Sequence, residues 1–111
     1  MLYKFKSKNA GDVIMLQPNG QQLLEIIGKH TAAAPSLQGI LLPEQMLLAL
    51  QALQTAIAQD EALRQAAFAR ALAEHLPTPR FAEVSLRQRA LPLMEMLRQC
   101  QKAGEPITWG V

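Results

Sequence analysis

Two short segments far apart in the chain, Leu2-Tyr3-Lys4-Phe5-Lys6 and Ile107-Thr108-Trp109-Gly110-Val111, alternate in polarity as strands do, while nearly everything between them has helical spacing. Successive strand side chains point to opposite faces, so Tyr3 and Phe5 share one side, as do Ile107 and Trp109. Three of the five aromatic residues therefore sit in these two segments. This pattern predicts an α+β fold: a mostly helical single domain over 1–111, with a small sheet formed by the N- and C-terminal strands. An isolated strand pair is marginal in water. Either helices cover the aromatic face of Tyr3, Phe5 and Trp109, or a second copy of the chain extends the sheet, or both, and homodimerisation through a sheet edge is an expectation.

Half of the 111 residues are hydrophobic, enough for one real core. A formal charge of +2 is too small to imply a polyanion partner by itself. The single cysteine, Cys100, cannot form an internal disulfide, which suits a reducing compartment. The start MLYKFKSK lacks the apolar stretch of a secretory signal, and the Leu-rich run from Met46 to Leu50 is far short of the ~20 residues that span a bilayer. The expected location is cytoplasmic, with no membrane partner.

Along the chain, Asp12 can cap a helical turn of Val13, Ile14, Met15 and Leu16, ended or kinked by Pro18. A strand is the alternative, with Asn9-Ala10-Gly11 as a hairpin turn. The 3–4 spaced stripe Val13, Leu16, Gly20, Leu23 and Ile27 favours helix; Asn19 can cap its second part with Gln22 in the capping-box position, and Gly28 suits a left-handed C-terminus. Residues 29–38 have no period and read as a connector. Pro43 opens a long helical region with Glu44 in its first turn and Met46, Leu50, Leu53 and Ile57 as its stripe. Asp60 and Glu61 mark a restart, and a second stripe of Leu63, Ala67, Phe68, Ala71 and Leu72 runs until Pro77 and Pro79. The spacing leaves open one helix or a hairpin over 43–75, and the Ala-rich segment 60–76, short of bulk, is expected to project or fray. The last helix has Ser85 as cap, Gln88 at the reciprocal position, a stripe of Leu86, Ala90, Leu93, Leu97 and Cys100, and a kink at Pro92.

The opening MLYKFKSKNAGDVIML, the LLEIIGK run, GILLPEQM, SLRQRALPLMEMLR and the terminal WGV together resemble a small bacterial family of short proteins, a domain of unknown function. The resemblance covers most of the chain outside the Ala- and Gln-rich middle and the connector. It implies no activity and carries no catalytic residues.

The residues themselves assemble no catalytic or metal set. His30, His75 and Cys100 have no paired ligand spacing, and both histidines read as helix-terminus residues. Cys100 reads as a buried small hydrophobe and Ser85 as a cap rather than nucleophiles. Phosphate-binding and nucleophile-elbow signatures are missing, so no enzyme and no cofactor are expected. One sharper hypothesis rests on basic residues. Lys4 and Lys6 (with Lys8) line one strand face, and Arg87, Arg89, Arg98 and Lys102 cluster on the last helix, a face that could hold phosphates. Against it, Lys4 and Lys6 point away from Tyr3 and Phe5, whereas base-stacking sheets show aromatics and cations on the same open face. Met94 and Met96 read as core filling, with adaptable partner contact as the alternative. Three functions follow, in order: a noncatalytic protein-interaction module that self-associates as a homodimer and uses the Pro92 helix or the Ala-rich helix for an unknown protein partner; a weak nucleic-acid or polyanion binder; and an enzyme of unrecognised type.

Overall fold

The shared alternation of Tyr3, Phe5, Ile107 and Trp109 requires the two segments to lie side by side, and they do: Phe5 stands opposite Trp109 and Lys6 opposite Thr108 in an antiparallel ladder. The structure, a computed structural model, describes residues 2–30, 37–80 and 84–110. Its elements are β1 (Leu2–Ser7), β2 (Ala10–Leu16), α1 (Gln17–Ile26), β3 (Gly39–Leu41), α2 (Pro43–Ala73), α3 (Leu86–Ala103) and β4 (Ile107–Trp109). The strands form one antiparallel sheet in the order β2-β1-β4-β3. The fold is α+β in a single domain, and the sheet contains both terminal strands. It has four strands rather than the two expected, which gives it independent stability that a lone pair lacks.

The helical turn expected over Val13 to Leu16 is instead strand β2, hairpin-linked to β1 through a turn at Lys8 and Asn9. Four consecutive apolar residues carry no period, so tertiary pairing decides, and Leu2 opposite Leu16, Tyr3 opposite Met15 and Phe5 opposite Val13 fix the strand. Pro18 accordingly opens α1 rather than ending a helix, because the first turn needs no amide donor. Asn19 and Gln22 therefore lie inside α1 and do not cap it; Leu16 occupies the cap position without a side-chain hydrogen bond. Asp60 and Glu61 do not interrupt α2, which is one helix of 31 residues. Asp60 accepts from Arg64 Nε at 3.1 Å within the helix, an i,i+4 pair that supports continuity. Of the connector, residues 31–36 lie outside the described residues, and Gly39 begins β3.

Other sequence features are where they were expected. Pro43 and Glu44 start α2. Ser85 Oγ accepts from Gln88 N at 3.2 Å while Ser85 N donates to Gln88 Oε1 at 3.0 Å, and Pro92 sits inside α3. All three helices end alike. After α1, Lys29 N donates to Leu24 O at 2.7 Å around Gly28; after α3, Glu105 N donates to Cys100 O at 3.0 Å around Gly104; after α2, Leu76 N donates to Ala71 O at 2.8 Å around His75. The central residue of each turn has positive φ, 81° at Gly28, 70° at Gly104 and 56° at His75. This left-handed closure satisfies carbonyls the helix leaves open. His75 thus lies beyond the last turn of α2, not within it.

The sheet has an inner and an outer face. Tyr3, Phe5, Met15, Leu41, Ile107 and Trp109 point inward and are buried against Leu23 and Leu24 of α1, Met46, Leu50, Leu53 and Ile57 of α2, and Leu93, Leu97 and Cys100 of α3. The Phe5 ring centroid lies 6.3 Å from that of Tyr3 and 5.9 Å from that of Trp109, so an aromatic row crosses the floor of the core. Met94 and Met96 are buried, as is Cys100.

Candidate interaction site: the open face of the sheet

A strand buried on one face alternates apolar with polar, whereas one apolar on both sides has a second surface to cover. β1 is of the first kind and β2, with Val13-Ile14-Met15-Leu16, is of the second. Met15 is buried inward while Ile14 and Leu16 point outward, 55% and 67% exposed. Leu2, opposite Leu16, is 59% exposed, and Ile40, opposite Thr108 on the far side of the sheet, is 44% exposed. Every helix among the described residues lies against the inner face, so among those residues these four aliphatic side chains stand on an uncovered sheet surface. Lys4 and Lys6 share it. Lys4 Nζ lies 3.6 Å from Asp12 Oδ2 on the neighbouring strand, both half-exposed, a pair of small energetic weight.

The basic residues singled out in the sequence divide between two layers. Lys4 and Lys6 project from the outer sheet face, whereas Arg87, Arg89, Arg98 and Lys102 belong to α3, on the inner side. Arg87 reaches across to α2, its Nη2 2.6 Å from Glu61 Oε1. Arg89 donates from Nη1 to Asn19 Oδ1 at 3.3 Å and to Gln22 Oε1, tying α3 to α1 with the two residues expected to cap that helix. Arg98 and Lys102 are exposed and belong to none of the ion pairs among the described residues. The six cations are therefore not one continuous surface. His30 Nε2 stands 3.9 Å from Glu25 Oε1 at the end of α1. Among the described residues no group of three or more His, Cys, Asp or Glu side chains could hold a metal ion.

Two open clefts of about 420 Å³ indent the surface. One, lined by Lys6, Lys8, Asp12, Glu105 and Thr108, mixes both charges beside the outer sheet face. The other lies between α2 and the segment that follows it, lined by Ala66, Ala67, Arg70, Ala71, Leu76 and Pro79. Beside that second cleft the distal half of α2 exposes Leu63 and Leu72, at 72% and 81%. No helix among the described residues is long and apolar enough to cross a membrane.

A family described as a domain of unknown function, DUF1840, has a model that matches residues 1–109. The chain belongs to this family. The match takes in the sheet, all three helices and the connector in one unit, so the surfaces described above are parts of the family's own domain and not of an appended segment. No curated protein and no solved structure matches the chain.

The outer-face aliphatics are the residues the sequence reading missed. Their signal was present in the run Val13 to Leu16, which has no polar alternate, and in Ile40 and Leu42 flanking Leu41. Taking that run as a helical stripe removed Ile14 from view.

Proposed function

We propose that this domain is a noncatalytic protein-interaction module of the cytoplasm that self-associates, and that the outer face of its sheet, together with the β2 edge that borders it, is the contact surface. One observation carries the reading: helices cover only the inner face, while Leu2, Ile14, Leu16 and Ile40 stand exposed on the other. Sheets left open on one side ordinarily show polar residues there, and the adjoining aliphatics Leu2, Ile14 and Leu16, with Ile40 standing apart across Lys6 and Thr108, mark a surface that meets another protein. A homodimer fits because Lys4 and Asp12 already offset each other within one copy, so a second copy can cover the patch without leaving either charge unpaired.

Sedimentation velocity on the intact chain tests this. The expected mass is twice 12.2 kDa at micromolar concentration, falling to 12.2 kDa for Ile14→Glu with an unchanged far-ultraviolet spectrum. A monomer at all concentrations contradicts the reading.

Polyanion binding ranks second, favoured by Arg98 and Lys102, exposed one helical turn apart on α3. Titration with labelled single- and double-stranded nucleic acid at ~0.15 M salt separates the two, since a phosphate reader shows a steep salt slope. Submicromolar affinity lost in the Arg98→Ala, Lys102→Ala variant would reverse the order.

A further inference from the structure

We infer, resting on the self-association reading, that the contact is made through β2: two copies pair their β2 strands antiparallel across a two-fold axis, joining two four-stranded sheets into one of eight strands. The sheet has two edges, and they differ. β3 is three residues long, with Pro43 opening the next helix two positions on. Short length is one of the ways an edge is kept from templating another strand. β2 is seven residues long, has neither lysine nor proline, and carries Asp12 as its only charge. Among the described residues no backbone hydrogen bond joins Ala10–Leu16 to anything but β1. Its outward row of amides and carbonyls is therefore open to pairing. The bulge in β1 lies between Phe5 and Ser7, near the hairpin turn, so pairing from Leu16 to Val13 is regular.

A second copy is the occupant these features select. A strand is complementary to itself under a two-fold rotation, and such interfaces are self-matched by construction. Charge restricts the register. An axis at Asp12 would set two carboxylates opposite each other, whereas an axis at Val13 or Ile14 sets Asp12 opposite Ile14 or Leu16 of the second copy and avoids the repulsion. Either axis also merges the exposed Leu2, Ile14 and Leu16 of both copies into one strip across the joined sheet, with Val13 and Met15 extending the core beneath it.

The test is cross-linking of the full chain carrying a single new cysteine, Val13→Cys or Ile14→Cys, with Ile40→Cys as control; native Cys100 is buried and silent. Directly opposed residues of antiparallel strands have Cα atoms about 4.5–5.5 Å apart, within the roughly 4.4–6.8 Å a disulfide spans. Mild oxidation is expected to convert most of one of the two β2 variants to a disulfide dimer and to leave Ile40→Cys and the unsubstituted chain unlinked. Hydrogen exchange on the unsubstituted chain needs no variant to fold: amides of Val13 to Leu16 that face the edge are expected to slow as concentration rises. A dimer in sedimentation with neither β2 variant cross-linked, or with exchange across β2 unchanged, overturns the edge pairing and leaves self-association through the sheet face standing. A monomer overturns both.

Discussion

At the residue scale, one position breaks a pattern the other two helices keep. The left-handed residue closing a helix is glycine after α1 and α3 but His75 after α2. A side chain there meets its own carbonyl, at a cost of roughly 1–2 kcal/mol. His75→Gly should therefore stabilise the fold by about 0.5–1 kcal/mol, the gain being reduced by glycine's greater freedom when unfolded; chemical denaturation measures it, and a lower midpoint would count against the turn described. Gly39 makes the opposite demand. A Cβ built on it would stand 2.5 Å from Cζ2 of the buried Trp109, its cross-strand partner, and one on Gly20 would stand 2.6 Å from the Tyr3 ring. Gly39→Ala should cost about 1–3 kcal/mol, the usual penalty for overfilling a packed core, with Trp109 fluorescence reporting the displaced indole. Glycine at the end of α1 was legible from its spacing behind the helical stripe. His75 was not, because nothing in a sequence marks an L-residue forced into a left-handed turn by the chain that follows.

At the element scale, what was legible followed from whether a segment's period had one reading. β1, β4, the start of α2 and the whole of α3 each had one, and each is where the pattern put it. β2 and β3 had none: Val13 to Leu16 is apolar throughout, and Gly39 to Leu41 is too short to show alternation, so partners decide what they become. The open sheet face was lost with them, since a face cannot be read before its strands are. The α3 cap was fully legible, and Ser85→Ala should lower stability by about 1 kcal/mol, measured as a shift in urea midpoint at constant slope. Truncation after Gly104 removes β4, the strand joining β1 to β3, and so cuts the sheet in two. The truncated chain is expected to lose its cooperative thermal transition; an unchanged melting curve would show that β4 is dispensable.

At the scale of the whole molecule, the α-carbon radius of gyration is 16.0 Å against about 13 Å for a compact chain of this length. α2 accounts for the excess: its 31 residues run about 46 Å at 1.5 Å per residue, close to the longest dimension of 52 Å. If copies associate, folding and assembly are linked, and the melting temperature should rise with protein concentration by mass action; differential scanning calorimetry across a dilution series checks this, a constant value arguing for an independent monomer. The position of β4 has a further consequence for how the molecule is made. Phe5 and Trp109 are partners in the sheet although 104 positions separate them. During synthesis the β1–β2 hairpin leaves the ribosome first, yet one side of β1 stays unpaired until residues 107 to 109 emerge. Throughout that interval the nascent chain presents the Tyr3 and Phe5 rings and an unoccupied strand edge to its surroundings. Pairing across so long a loop carries a closure cost that the β1–β2 hairpin escapes, so the sheet is expected to be completed only after the hairpin has formed.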